Sequence, residues 1–309
     1  MGWFSKSKTC NRGFHRKGNR CYRNTPKKPT NSPKSPKSCK LDGKTFCKEG
    51  DKQLKPPIAR AGGKRQLADR IIKEMKPHQV YDEPFVGGGA VFYKKPLAQK
   101  NYINDKDSDV VKVHKSFKNG QGFDKCDMKG SKNKFDRIKK KSNKSACDLA
   151  YISKWSFGSD LKAKRYVLDG DSKRKQKQYG NRYRPKDKTF GIKSQIAHKQ
   201  EYHEKLKNTN VTSQDFKKVM KKADSKQTTH FLDPPYYQQD SMYKEKGVTP
   251  KEVCDTAKKM KGQVLITYND HPEVRKSCRG MKQKKISSRY TLGANSNNKK
   301  SKELLIVKN

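Results

Sequence analysis

The chain has few apolar residues for its length. Hydrophobic side chains make up 30% of its 309 residues, and the mean hydropathy is −1.22. No apolar run approaches the roughly 20 residues that cross a bilayer, and the N-terminus lacks the apolar segment of a secretory signal. We therefore expect an intracellular, soluble protein with no membrane contact, whose core is built from a few short strands.

Cysteine is present eight times, but no two cysteines form a C-x-x-C pair, so a zinc ribbon or finger is not supported. We expect no bound metal and mostly free thiols in a reducing compartment. A metal or disulfide clip near the N-terminus stays an alternative for four of them, which are Cys10, Cys21, Cys39 and Cys47.

Acidic residues are scarce as well. The chain has 30 Asp and Glu against 76 Lys and Arg, which gives a net charge of +46. A field of this sign attracts polyanions and releases their counterions on binding, so nucleic acid is the leading candidate partner. Lysine runs are also common on plain solvated surfaces, and charge alone leaves the chemistry open.

The composition divides the chain into three parts. Residues 1–55 carry 16 Lys and Arg against three acids, and we predict a basic, disordered tail there. Residues 56–117 and 209–309 hold short apolar runs separated by helix-compatible stretches, which predicts an α/β domain with a mostly parallel sheet. Residues 118–208 are poor in apolar residues, and we predict a smaller inserted lobe that is mostly helical.

A glycine loop follows the first predicted strand of the α/β domain. Gly87, Gly88 and Gly89 stand between this strand and a helix, where a backbone without side chains lets a nucleotide-like ligand approach closely. Asp105 lies 18 residues beyond Gly87 at the end of the next predicted strand, a spacing typical of acids that bind ribose hydroxyls. A plain strand-to-helix turn is the alternative for the glycines taken alone.

A second motif, Asp233-Pro234-Pro235-Tyr236, directly follows an apolar strand. An exocyclic amine such as adenine N6 is a poor nucleophile because its lone pair is delocalised into the ring. The Asp233 carboxylate and the Pro234 carbonyl can accept both of its N–H groups, while the prolines hold these acceptors in place. Tyr236 offers a flat face for an extruded base. The unit therefore indicates catalysis on a base amine.

Three motifs in this order resemble the Dam-like family of DNA adenine-N6 methyltransferases. They are Ala61-Gly62-Gly63-Lys64, the segment 83–92 with Asn104-Asp105 after it, and the Asp-Pro-Pro-Tyr unit. The resemblance covers roughly residues 56–309 and is thin across 118–208. It implies a Rossmann-like, S-adenosylmethionine-dependent methyltransferase sheet with a target-recognition lobe, and it makes the α/β part the catalytic domain.

The resemblance also implies roles for individual residues. Asp233, Pro234 and Tyr236 are expected to hold a flipped adenine, whose N6 attacks the sulfonium methyl group directly. Arg60 stands where the family commonly has an aromatic residue, and Gly89 belongs to the glycine loop. The full set expected around S-adenosylmethionine is Arg60, Lys64, Phe85, Gly87, Gly89, Asp105 and Asp233.

The inserted lobe is expected to bind double-stranded DNA, with the protein acting as a monomer. Trp155 has two interpretations, a wedge near the vacated base or a filler of the lobe's small core, and the second is favoured because this segment has few apolar residues. The residues expected to contact DNA are Lys154, Trp155, Lys164, Arg165, Arg182 and Arg184.

Three alternatives remain at this point. N4-cytosine methylation uses a similar acceptor turn, although that family more often has Ser in place of the leading Asp. A catalytically inactive DNA-binding protein of the same fold is possible, but it would have no reason to keep both the glycine loop and the Asp-Pro-Pro-Tyr unit. An RNA-directed enzyme is the third, since the charge does not separate RNA from DNA.

Overall fold

The computed structural model describes residues 14–17, 20–23, 40–41, 44–45, 53–58, 60, 62–124, 126–156, 161, 166, 195–238, 248–289 and 300–309. Residues 1–37 and 38–309 form two compact units. In the first, β1 (Phe14–Lys17) and β2 (Arg20–Arg23) form an antiparallel hairpin. The second begins with a shorter antiparallel pair, β3 (Lys40–Leu41) and β4 (Lys44–Thr45). The boundary predicted at residue 55 stays a prediction.

The larger unit is built on one seven-stranded sheet. Its strands are β5 (Val80–Glu83), β6 (Lys100–Asn104), β7 (Thr209–Thr212), β8 (Thr228–Leu232), β9 (Gln263–Asn269), β10 (Lys282–Arg289) and β11 (Lys300–Lys308). The spatial order is β10-β11-β9-β8-β5-β6-β7. Strands β5 to β9 pair in parallel, and β11 pairs antiparallel with both β9 and β10. This confirms the predicted α/β class and the mostly parallel sheet.

Helices connect most of the strands, but the helix predicted directly after the glycine loop is wrong, because residues 84–99 between β5 and β6 contain turns and no helix. In the part of the chain that the structure describes they are α1 (Ala68–Lys73), α2 (Ser108–Asn119), α3 (Lys132–Lys140), α4 (Ala146–Trp155), α5 (Lys199–Leu206), α6 (Phe216–Ala223), α7 (Pro250–Lys259) and α8 (Pro272–Ser277). A 3-10 turn, Lys64–Gln66, precedes α1. Local signals set these limits: Asp107 caps the first turn of α2, and Gly120 ends it with a φ of 68°.

Strands β8 and β9 and the second half of β11 are buried on both faces of the sheet, and the apolar runs Val264–Ile266 and Leu304–Val307 lie there. Successive side chains of a strand point to opposite faces. Leu265, Leu305 and Val307 thus join one core with helices α1 to α5, whereas Ile266 and Ile306 join a second core with α6 to α8.

The described part of the inserted segment is helical, with α3 packed on α4 and α4 on α2. Ser145 and Asp148 form a capping box that starts α4. The ring of Trp155 is buried, and its Nε1 donates a hydrogen bond to the Met128 carbonyl at 3.2 Å. A Cβ on Gly130 would lie 2.6 Å from this ring. The observed packing is that of a core residue, and the limits of the lobe at 118 and 208 stay a prediction.

Among the described residues, Cys126 is disulfide-bonded to Cys147 and Cys254 to Cys278. The expectation of mostly free thiols is wrong for these four. They lie 21 and 24 residues apart in sequence, and helix packing brings their Cα atoms to 5.7 and 5.2 Å, within the range that a disulfide spans. No short-range spacing rule reveals such pairs. The side chains of the four cysteines in the tail lie outside the described residues.

A search of the described helices found none with the length and apolar content needed to cross a bilayer. Nor do the described ranges contain three or more His, Cys, Asp or Glu side chains grouped to bind a metal ion.

Candidate active site

A cavity of about 780 Å³ opens at the carboxyl ends of the parallel strands. Strands β5 and β8 are neighbours here, and the chain leaves them in different directions, toward β6 and toward β9. Open α/β sheets bind ligands at such a point because two loops diverge and leave a crevice between them. The volume is within the range of small-molecule and cofactor sites. Its lining includes the glycine loop, the segment 55–58, Asp105 and Asp233.

The glycine loop turns sharply after β5. Gly87 and Gly89 have φ angles of 48° and 75°, which side chains rarely adopt. A Cβ on Gly89 would lie 2.7 Å from the Tyr93 ring, whereas a Cβ on Gly87 would meet nothing within 4 Å. Gly89 is therefore required by packing, and Gly87 leaves open space above the backbone.

His114 supports the loop from helix α2. Its Nε2 lies 2.8 Å from the Gly87 carbonyl, and its Nδ1 lies 2.8 Å from the Tyr93 hydroxyl. Burial lowers the pKa of His114 to about 4, so the ring is neutral at neutral pH. Nε2 then carries the hydrogen and donates it to Gly87, while Nδ1 accepts from Tyr93.

Asp105 links the glycine loop to the start of α2. Its two carboxylate oxygens accept hydrogen bonds from the backbone N–H groups of Gly87, at 2.8 Å, and of Asp107, at 2.9 Å. Burial raises the pKa of Asp105, and the nearby Arg60 guanidinium opposes that rise. Arg60 itself pairs with Asp107 at 3.3 Å. Arg60, the residue that departs from the family pattern, is thus held close to Asp105 at the cavity.

Lys64 and Asp233 form a largely buried ion pair on the other side of the cavity. The distance from Lys64 Nζ to Asp233 Oδ1 is 2.8 Å, and the Lys64 side chain is only 5% exposed. Thr267 donates to the same Oδ1 at 2.7 Å. Burial raises the pKa of Asp233, while Lys64 and Thr267 counteract the rise. Within the described part of the chain, Oδ2 of Asp233 accepts no hydrogen bond and is available to a ligand.

Tyr236 lies beside this pair. Its hydroxyl donates to the carboxylate of Glu303 on β11, and its ring centroid lies 4.7 Å from Lys64 Nζ. The following turn is held by Asn269, which accepts from the Tyr237 N–H at 3.1 Å and donates to its carbonyl at 3.3 Å. The Asp-Pro-Pro-Tyr segment is therefore fixed by side chains of β9 and β11.

Two aromatic rings flank the other end of the cavity. Phe85 follows β5 and Phe216 starts α6, and their ring centroids lie 5.1 Å apart. Glu83 also lines the cavity. Burial raises the pKa of Glu83 to about 8, although the hydrogen bond that Tyr81 donates to it at 2.7 Å opposes the rise, so Glu83 is mostly protonated at neutral pH.

The sequence-predicted cofactor residues converge on this one cavity, which they all line: Arg60, Lys64, Phe85, Gly87, Gly89, Asp105 and Asp233. Of the predicted DNA contacts, Lys154 lines the cavity and Trp155 is buried. The others, Lys164, Arg165, Arg182 and Arg184, lie outside the described residues, and contact with DNA stays a prediction for the whole set.

Sequence reasoning missed several side chains that shape the site, namely His114, Phe216, Thr267, Asn269 and Glu303. One signal was available for two of them. Thr267 lies within an apolar run, and Glu303 directly precedes one. Burying a polar side chain costs free energy unless it is hydrogen-bonded, so a polar residue at such a position indicates a specific contact. The others gave no local signal, because their partners are far away in sequence.

Comparison with known families gives a match to one family model, described as D12 class N6 adenine-specific DNA methyltransferase, over residues 61–292. Among curated proteins no similar sequence was found. The match spans the glycine loop, the inserted segment and the Asp-Pro-Pro-Tyr unit, and it confirms the enzyme class expected from the motifs. DNA is accordingly the substrate, and enzymes of this kind generally use S-adenosylmethionine. The chain belongs to the D12 class of N6 adenine-specific DNA methyltransferases.

Proposed function

We propose that this enzyme binds S-adenosylmethionine in the 780 Å³ cavity and methylates an adenine that is flipped out of duplex DNA onto Asp233, Pro234 and Tyr236. The observation that carries the proposal is the position of Asp233. Its carboxylate lies on the wall of the same cavity that the glycine loop and Asp105 line, so a donor methyl group and an acceptor amine can meet there.

The residues around the cavity suit this cofactor. Its sulfonium and amino groups are cationic, and the cavity presents the carboxylates of Asp105, Asp107 and Asp233. The open backbone at Gly87 admits a close ligand, and the rings of Phe85 and Phe216 offer apolar faces to an adenine ring. When bound, the cofactor supplies an activated methyl group on a positively charged sulfur.

The target adenine needs two hydrogen-bond acceptors for its amine. Oδ2 of Asp233 and the carbonyl of Pro234 accept no hydrogen bond within the described residues, and we assign them to the two N–H groups. Oδ1 is held by Lys64 and Thr267, which fixes the plane of the carboxylate before the base arrives. Tyr236 would stack on the extruded ring.

The N6 nitrogen then attacks the methyl carbon in line with the carbon–sulfur bond, without a covalent enzyme intermediate. The new N–C bond forms as the C–S bond breaks, and the sulfur keeps its electron pair. N6 must afterwards lose a proton. Because burial raises the pKa of Asp233, this carboxylate binds a proton more readily than an exposed one and is our candidate acceptor.

We further propose that the inserted lobe grips the DNA backbone through Lys154 and the basic residues that follow it, and that the enzyme acts as a monomer inside the cell, where its DNA lies. The basic residues of 1–55 would add sequence-independent affinity for phosphates.

The test is methyl transfer from labelled S-adenosylmethionine to mixed-sequence duplex DNA, followed by nucleoside digestion. The wild type should yield N6-methyladenine, and Asp233→Asn should lose at least a hundredfold in kcat, as expected when an acceptor of the reacting group is removed. Asp69→Asn is a matched control, because Asp69 is an exposed partner of Lys94. A 4-methylcytosine product would overturn the base assignment, and full activity of Asp233→Asn would overturn the proposed role of this carboxylate.

A further inference from the structure

We infer that Glu303 is a positioning residue for methyl transfer, which orients Tyr236 against the target base. The inference rests on the proposed function, since it assumes that the Asp-Pro-Pro-Tyr segment receives the adenine. Glu303 lies outside that segment by 67 residues and on a different strand, β11.

Glu303 occupies an unusual position for an acid. It precedes the apolar run Leu304–Val307 on β11, pairs in register with Asn269 of β9, and is 7% exposed. Its side chain has the same strand parity as Leu305 and Val307, so it faces the core that contains α1 and the glycine loop. Burying a carboxylate is costly unless hydrogen bonds and a cation compensate it. The residue is therefore expected to serve a purpose beyond packing.

The contacts of Glu303 indicate what that purpose is. Its Oε2 accepts the hydrogen of the Tyr236 hydroxyl, which is the far end of the ring proposed to stack on the adenine. The hydroxyl lies on the Cβ–Cγ axis of the ring, so this hydrogen bond fixes the direction in which the ring points from the backbone. Tyr268 packs against the ring, with centroids 6.2 Å apart, and limits its rotation about that axis. Glu303 thus holds the Tyr236 side chain in position before the base arrives.

A second contact links Glu303 to the acceptor. Lys64 Nζ lies 2.8 Å from Asp233 Oδ1 and 3.9 Å from Glu303 Oε2. One buried cation therefore lies between two carboxylates, with the Tyr236 ring 4.7 Å away. Because Lys64 is attracted to both carboxylates, Glu303 also limits how closely Lys64 can approach Asp233. In this way the antiparallel strand β11 contributes a side chain to a site that lies at the carboxyl ends of the parallel strands.

The test is a double-mutant cycle on the full-length enzyme with Glu303→Ala, Tyr236→Phe and the double variant. Tyr236→Phe keeps the ring and removes only the hydroxyl. Each single variant should lower kcat about tenfold, the size expected for a hydrogen bond to a charged group, and the double variant should be no slower than the slower single variant. If the two reductions in kcat multiplied in the double variant, Glu303 and Tyr236 would act independently, which would contradict a shared contact.

Glu303→Gln separates positioning from folding. Glutamine keeps an oxygen that accepts from Tyr236, so kcat should recover to within about threefold of the wild type. A Gln variant as slow as the Ala variant would overturn the inference. Glu74→Gln is the control, because Glu74 pairs with Lys284 away from the cavity and its loss should leave kcat unchanged.

Binding of S-adenosylhomocysteine, measured by calorimetry, supplies a readout that does not depend on turnover. All variants should bind it within about threefold of the wild type, with melting curves that show a folded protein. If the wild type methylates adenine and Glu303→Ala is as fast, the inference fails while the proposed function stands. If the wild type neither binds the probe nor transfers methyl, the proposed function itself fails.

Discussion

At the scale of single residues, the site depends on how buried charges are compensated. Asp233 is the clearest case: burial alone would favour its neutral form, yet a carboxylate accepts a hydrogen bond from an N–H group best when it is ionised. The compensation comes from Lys64, whose Nζ also donates to the Gly62 carbonyl at 2.6 Å. Gly62 has a φ of 77°, which side chains rarely adopt, and it turns the backbone directly before Gly63 and Lys64.

Removing this lysine should move the acidic limb of the pH–rate profile. In Lys64→Met the pKa of Asp233 rises further, so a higher pH is needed before the carboxylate is ionised. We expect the acidic limb of kcat/KM, measured with saturating cofactor, to shift to higher pH. Lys94→Met removes a half-buried lysine that pairs with the exposed Asp69, and it should leave the limb unmoved. An unshifted limb in Lys64→Met would show that this ion pair does not control the acceptor.

At the scale of elements, the glycine loop and its supporting helix form one structure. Tyr93, His114 and Gly87 are joined in a chain of hydrogen bonds, and Gly89 leaves no room for a side chain against Tyr93.

Gly89→Ala should weaken binding of S-adenosylhomocysteine by at least tenfold and lower the melting temperature. Its Cβ would combine an unfavourable φ of 75° with a contact of 2.7 Å to the Tyr93 ring. Gly120→Ala is the matched control, with a φ of 68° but nothing within 4 Å. It should cost only the backbone strain, about 1–2 kcal/mol of stability, and leave the affinity unchanged. Equal affinities for the two variants would contradict a role of the loop in cofactor binding.

His114 should make the free energy of unfolding depend on pH. Its folded pKa of about 4 is below the ordinary 6.5, so between these values the unfolded chain binds more protons and stability rises with pH. The full contribution of such a shift is about 3 kcal/mol. His114→Gln should remove it, so the stability difference from the wild type should widen between pH 4 and 6.5. The pKa of His78 is also lowered, but this side chain is partly exposed, so His78→Gln should change the pH dependence of stability less. A pH-independent difference for His114→Gln would refute the assignment.

Elements with local signals were predictable from the sequence, and those defined by distant contacts were not. The apolar runs of residues 56–117 and 209–309 predicted an α/β domain with a mostly parallel sheet, and the observed strands confirm it. Strand β7, Thr209–Thr212, escaped prediction because Thr and Asn carry no apolar pattern; it lies at the edge of the sheet. Likewise the role of Asp233 could be predicted from the residues next to it in sequence, whereas the role of Glu303 depends on the pairing of β11 with β9.

At the scale of the whole molecule, charge is the dominant property. The net charge is +46, and the cavity carries both signs, with carboxylates such as Asp105 and Asp233 beside cations such as Arg60 and Lys64. A net charge of this size attracts a polyanion to the molecule as a whole. We propose that the carboxylates of the cavity bind the cationic cofactor and the base amine. The sequence predicted the charge and its partner, but the recognition contacts of the lobe depend on three-dimensional placement.

Deleting residues 1–37 should weaken DNA binding and flatten its dependence on salt. This compact unit holds eleven Lys and Arg and no acid. The cut leaves Leu54 and Lys55 in place, whose backbones bond to Tyr93 and Tyr202. Each phosphate contact that is lost should reduce the slope of log Kd against log salt by about 0.9. Affinity for S-adenosylhomocysteine in the absence of DNA should not change. An unchanged salt slope would show that these cations do not contact DNA.

The most direct test of the proposed site is a calorimetric titration of S-adenosylhomocysteine into the wild type and into Asp105→Ala, with Asp69→Asn as control. We predict one site per chain, at least tenfold weaker binding by Asp105→Ala and no change in the control, because both oxygens of Asp105 hold the backbone of the cavity. Equal affinity of the wild type and Asp105→Ala would place the cofactor elsewhere and contradict the proposal that this cavity brings the methyl donor to Asp233.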